Sequence, residues 1–304
     1  MKISVSKTGE LAGHRDSIYC LAPGPDTDSF YSGAGDGLIV KWNLAEGHNG
    51  KVVAETEGAV YAMQYLKDSN RLLAGTNSGV IIMLDLEANQ LVTQAKLNHG
   101  IFDLKVVPGQ DFMIVAGAEG YLKLLLVDTL QELLTLRPSQ RNARCIALHP
   151  SQPVCAIGFS DGDIRVFSSH DLKPFFRFEG HQFSTFCLQF TQDEIRLLSG
   201  GRDAHLKSWL IHEEYAPQLE VPAHLFTINR IAQQPGGRLL ATASRDKSVK
   251  IWDSRSFELL KVIDAEKFNA HVHSVNHLIW LDEERLVTAG DDKRILVWRI
   301  IIEE

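Results

Sequence analysis

Apolar residues in this chain fall in short runs, repeated at nearly even intervals and separated by polar turn residues. An alternating stretch leads each unit, as in Ile18–Leu21, Val60-Tyr-Ala-Met63-Gln-Tyr65 and Val275-Asn-His-Leu278-Ile-Trp280. A second run follows, such as Leu72-Leu-Ala, Leu197-Leu-Ser or Leu239-Leu-Ala-Thr, and then a tight turn. A third run (Val249-Lys-Ile-Trp252) and a fourth (Glu258-Leu-Leu-Lys-Val-Ile263) complete the unit. Runs this short, alternating with period two, predict strands. Asp36-Gly37, Ser78-Gly79, Glu119-Gly120 and Asp161-Gly162 supply the left-handed conformation that a two-residue hairpin turn requires.

The units are in register with one another. An Asp stands six residues before a Trp in four places: Asp36 and Trp42, Asp203 and Trp209, Asp246 and Trp252, Asp292 and Trp298. A Ser or Thr stands four residues before each Asp, at Ser32, Ser199, Thr242 and Thr288. A His precedes the Asp by 22 residues at His14, His181 and His224, and by 21 at His271. Weaker copies between Trp42 and Trp209 keep the spacing and the turn but lack the His and the Trp. Positions equivalent to the Trp are 42, 84, 125, 167, 209, 252 and 298, which makes seven units of about 43 residues.

Units of this length with four strands and Gly-His and Trp-Asp signatures describe propeller blades. The sequence resembles the WD-repeat β-propeller family over essentially its whole length. The match is specific in units one, five, six and seven, and rests on spacing and turn chemistry in units two to four. The implied fold is all-β: a seven-bladed propeller of four-stranded antiparallel blades. The expected blades span 11–53, 54–95, 96–136, 137–177, 178–220, 221–267 and 268–304 with 1–10. Only six residues follow Trp298, so the N-terminal strand, with Ile3 and Val5 in alternation, is expected to complete the last blade and close a single domain.

Length alone, 304 residues, allows one large domain or two ordinary ones, and the repeat selects one ring. The chain is 44% hydrophobic, enough for a core. Its formal charge of −7 disfavours phosphate-backbone binding, so nucleic acid is not the expected partner. Met1–Glu10 lacks the apolar core expected of a signal peptide, and no apolar run reaches the length a membrane helix needs. Four cysteines without a CxxC pair point away from a disulfide-stapled secreted fold, and a soluble cytoplasmic protein, monomeric by itself, is expected.

Recurring Ser, His and Asp invite a hydrolase reading. Against it, the set appears four times and always with a Trp. In the family that the sequence resembles, these four types form a buried hydrogen-bonded tetrad within a blade. Expected tetrads are His14, Ser32, Asp36, Trp42; His181, Ser199, Asp203, Trp209; His224, Thr242, Asp246, Trp252; and His271, Thr288, Asp292, Trp298. The spacing of His271, His273 and His277 suggests a metal site, but His271 belongs to a tetrad and His277 occupies the repeat position of Cys20, Cys145 and Cys187. The glycines around Asp36 echo a nucleotide fingerprint without the helix it needs, and Gly47–Lys51 is too short for a P-loop. No metal or cofactor is expected.

Function in repeat folds sits where the units differ. In the resembling family, ligands sit on the top face around the channel mouth. Carried over unit by unit, the residues after the first apolar position of the inner strand are Tyr19, Tyr61, Phe102, Arg144, Phe186, Asn229 and Asn276. The residues before the turn Asp include Arg202, Arg245 and Asp291. The aromatics read as anchors for apolar side chains. Arg144, Arg202 and Arg245, on consecutive blades, read as a basic sector for a carboxylate or phosphate. The competing readings are inner-strand packing for the aromatics and solvated ion pairs for the arginines. Trp252-Asp253-Ser254-Arg255 also matches a Trp-Asp-x-Arg pattern by which some eukaryotic WD-repeat proteins dock onto a ubiquitin-ligase adaptor, or else is an ordinary strand end. The expectation is a non-enzymatic scaffold binding a protein or peptide; the alternative is an enzyme or small-molecule binder at the central channel.

Overall fold

A computed structural model describes residues 1–47 and 49–303; His48, within the Gly47–Lys51 stretch, and Glu304 lie outside the described residues. Seven antiparallel sheets of four strands form the blades of a propeller. Blade one runs from the channel outward as Ile18–Pro23, Ser29–Ala34, Leu38–Asn43 and Lys51–Glu55. Blades two to six repeat this order, with inner strands Val60–Leu66, Ile101–Val106, Ala143–Leu148, Thr185–Phe190 and Ile228–Gln233. Blade seven takes three strands, Val275–Trp280, Arg285–Gly290 and Arg294–Glu303, from the C-terminal part, and Lys2–Ala12 supplies its outermost strand. That strand is longer than its sequence pattern suggested: ten pairs join it to Arg294–Glu303, from Lys2 opposite Glu303 to Ala12 opposite Arg294.

Burial follows position in the sheet. Second strands such as Arg196–Gly201 and Leu239–Ser244 are buried along their whole length, because blades cover both faces. The outermost strands are made mostly of exposed and half-buried residues. Seven apolar clusters fill the seven gaps between neighbouring blades. One joins Ile18, Phe30 and Trp42 of blade one to Leu11, Val287, Ala289, Ile295 and Val297 of blade seven across the seam between them. Blades approach closely at small residues: a Cβ on Gly200 would lie 2.8 Å from both Cys187 Sγ and Ile228 Cγ2. Each inner strand packs on those of both neighbours, and Val275–Trp280 on Ile18–Pro23, so the ring is closed.

Candidate functional site

Every inner strand begins with the same irregularity. Its register shifts between the first and third residues, at Ile18/Cys20, Val60/Ala62, Ile101/Asp103, Ala143/Cys145, Thr185/Cys187, Ile228/Arg230 and Val275/His277. The residue left over is Tyr19, Tyr61, Phe102, Arg144, Phe186, Asn229 or Asn276. An unpaired bulge residue is turned out of the alternation that buries its neighbours, and all seven are half-buried.

These side chains meet around the channel mouth. Tyr19 and Tyr61 pack edge to face with centroids 4.7 Å apart, and Tyr61 stacks on Phe102 at 6.1 Å. The Arg144 guanidinium lies 4.4 Å from the Phe102 centroid and 5.2 Å from that of Phe186. Five consecutive blades thus contribute one continuous strip, Tyr19–Tyr61–Phe102–Arg144–Phe186. Arg144 Nε donates to Ser160 Oγ at 2.9 Å, and no carboxylate of the described residues pairs with it. Burial pulls its pKa below the ordinary arginine value, and a guanidinium clamped between rings has already lost most of its rotamer freedom.

The last two blades differ. Asn229 Nδ2 donates to Val275 O at 2.8 Å and Asn276 Nδ2 to Ile18 O at 3.0 Å, each reaching the inner strand of the next blade. Asn276 also donates to Asp291 Oδ1 at 2.7 Å. These three tie the ring together and leave the strip at Phe186. Arg202 and Arg245 stand exposed, without contact to Arg144; Arg202 lies 6.0 Å from the centroid of the exposed Phe183.

Phe183 belongs to a feature that sequence reasoning missed. On three consecutive top loops, the residues just after the tetrad histidine are large, apolar and open to solvent: Phe183, Leu225 with Phe226, and Val272. Leu225 is 83% exposed. The available signal was an apolar residue between the His and the first strand, where a turn would otherwise be polar. Together with Arg202 and Arg245 these residues make an apolar and basic rim over blades five to seven.

Behind the top face lie the tetrads. In blade one, Trp42 Nε1 donates to Ser32 Oγ at 2.8 Å, Ser32 Oγ lies 2.7 Å from His14 Nε2, and His14 Nδ1 is 3.1 Å from Asp36 Oδ2. Blades five, six and seven repeat this with His181, His224 and His271 at 2.8–2.9 Å from Asp203, Asp246 and Asp292. Blade four keeps a remnant, in which Ser139 Oγ donates to Asp161 at 2.9 Å. In blade three the equivalent interior positions are Leu97, Val115 and Leu125, all buried. His271 is thus held in its tetrad, His273 is exposed, and His277 is buried in the channel wall, so the three do not converge. In Trp252-Asp253-Ser254-Arg255, at the opposite end of the ring, Asp253 accepts N–H bonds from Arg255 and Ser256, and Arg255 is exposed.

A family model described as "WD domain, G-beta repeat" matches residues 5–43, 172–209, 216–253 and 264–299, which covers the four tetrad units. The chain belongs to the WD-repeat family. Each matched segment of this WD-repeat propeller begins in or beside an outermost strand and ends with the third strand of the next blade, so sequence repeat and structural blade are offset by one strand. The chain is similar to actin-interacting protein 1 of Drosophila melanogaster, 24% identical over 95% of this chain and 47% of that protein. It is also similar to WD repeat-containing protein 1 of Xenopus tropicalis, at 20% over 95% of this chain and 48% of that one. Human striatin-4 is 24% identical over 82% of this chain and 36% of its own length. The chain spans about half or less of the curated relatives it matches. No helix of the described residues is long and apolar enough to cross a membrane.

Proposed function

We propose that this propeller is a non-enzymatic scaffold whose top face captures a protein segment carrying one acidic residue between apolar side chains. The observation that carries this reading is Arg144, unpaired with any described carboxylate and held between Phe102 and Phe186 at the middle of an aromatic strip. A partner carboxylate would meet a guanidinium already oriented, in bidentate fashion and at small entropic cost. Apolar residues on either side would lie on Tyr19, Tyr61 and Phe102 or reach toward Phe183, Leu225 and Phe226. One relative is named for an interaction with another protein, which agrees with a protein partner. Four buried free cysteines suit a reducing, intracellular setting.

The hydrolase alternative fails on access. Each Ser or Thr hydroxyl of a tetrad is 0% exposed and capped by an indole N–H. No substrate carbonyl reaches it.

The test is selection from a random peptide library on wild type and on Arg144→Gln. Wild type is expected to enrich peptides with Asp or Glu flanked by aromatic or aliphatic residues. Arg144→Gln, with an unchanged melting temperature, is expected to bind them at least tenfold more weakly. Selected peptides without acidic residues, or equal binding by the variant, would overturn the reading.

A further inference from the structure

Below the bulges, the third residues of the seven inner strands are Cys20, Ala62, Asp103, Cys145, Cys187, Arg230 and His277. Most of these are small, which leaves space around the axis for the one long side chain, Arg230. Arg230 is half-buried with its Nε enclosed, and it lines a cavity at the lower end of the channel.

Three other polar side chains of the inner strands accept from a neighbouring blade. Gln64 Oε1 accepts from Val106 N at 2.8 Å, Gln189 Oε1 from Gln233 N at 2.9 Å, and Asp103 Oδ2 from Ile146 N at 2.8 Å. Arg230 is different: its Nε is buried without a hydrogen-bond partner, and no described carboxylate pairs with it. His277, 8% exposed, also leaves a buried Nδ1 without a partner. Nearby, Lys105 Nζ lies 3.3 Å from Asp103, whose second oxygen is already bonded. Arg230 and Lys105 both line a cavity of about 520 Å³ that opens at the lower end of the channel and includes Gln189, Gln233, Phe190 and Trp280. An arginine kept unpaired in a partly desolvated site costs stability unless an anion neutralises it.

We propose that the lower channel is an oxyanion site, in which Arg230 and Lys105 grip a phosphate or carboxylate group. Arg230 supplies a planar set of donors and the one unpaired positive charge, and Lys105, paired with Asp103, supplies further N–H donors beside it. His277 is held neutral by burial and by the two cations, so it adds no further charge beside the site. This site is separate from the top face, and either can fail while the other stands.

The experiment titrates inorganic phosphate and malonate into the protein at constant ionic strength set with chloride, following the melting temperature and the tryptophan fluorescence, to which Trp280 beside the cavity contributes. A second arm titrates a short acidic peptide. Saturable stabilisation of wild type is expected in the millimolar range. Arg230→Met is expected to abolish it, while melting as high as wild type or higher in chloride alone. Arg202→Gln/Arg245→Gln is expected to keep the response. A response to phosphate or malonate that is lost in Arg230→Met identifies a free anion, and a response to the peptide alone that is lost in Arg230→Met but kept in Arg144→Gln identifies a partner's carboxylate. No saturable response in either arm, or an equal response in Arg230→Met, would overturn the site.

Discussion

Hydrogen-bond donors in each tetrad point one way: indole N–H to hydroxyl, hydroxyl to imidazole Nε2, and Nδ1–H to carboxylate. That order requires a neutral imidazole. Burial supplies the condition, holding His14, His181 and His224 below the ordinary histidine pKa. Burial alone would raise the carboxyl of Asp203, but its bond and charge interaction with His181 and the N–H groups of Gln182 and His205 prevail and hold it at about 2. Thr242→Val keeps the shape of one tetrad while leaving His224 Nε2 and Trp252 Nε1 unpaired. Two buried polar groups without partners cost about 2–4 kcal/mol, to be measured by denaturant unfolding. Acid acts on the same groups. Both His and Asp have lower pKa values folded than unfolded, so the unfolded chain binds more protons. Stability is complete above the ordinary histidine pKa of 6.5, falls as pH drops below it, and falls further through 3.8 toward 2 as Asp203 titrates. A melting temperature that stays flat between about pH 7 and about pH 5 would contradict this neutral-imidazole relay.

Among the elements, the turns between second and third strands show what the repeat tolerates. Gly37, Gly79, Gly120 and Gly162 take positive φ in blades one to four, as their Xaa-Gly sequences predicted. In blades five to seven the same position is Ala204, Lys247 and Lys293, with φ of 65°, 74° and 64°. A side chain in this region is strained. Lys247→Gly, at an exposed position, is therefore expected to stabilise by about 0.5–1 kcal/mol, visible as a shift in denaturant midpoint. Strands and turns were legible because alternation and Xaa-Gly pairs are local signals. Tetrad membership was legible because four residue types recur at fixed spacing. The bulges were not, since any residue type serves there and Tyr, Phe, Arg and Asn all do. Nor were the partners of Arg144: its spacing grouped it with Arg202 and Arg245, whereas bulge geometry turns it between two rings of neighbouring blades.

For the molecule as a whole, closure depends on two devices at one seam. Lys2–Ala12 completes the last blade, and Asn276 bonds across to Ile18 on the channel side. Deleting residues 2–12 would remove Leu11 and Ile3 from two interblade clusters and bare the edge of Arg294–Glu303. The truncated chain is expected to lose its single cooperative melt and to associate with increasing concentration, as sedimentation would show. A monomer melting like the full chain would mean that the outer strand is dispensable. Nearest-neighbour packing also explains why tetrads can be missing from blades two to four: each gap has its own apolar cluster, and Leu97, Val115 and Leu125 replace polar bonding with burial. The bulge has the opposite property. In blades one to five its residue belongs to no ladder pair, to none of the seven cores and to no bond between inner strands, so a change there rewrites one letter of a five-letter address, Tyr-Tyr-Phe-Arg-Phe, and leaves the grammar of the ring intact. On the proposed reading of the top face, descendants of such a gene can change clients by single substitutions long before they drift in fold.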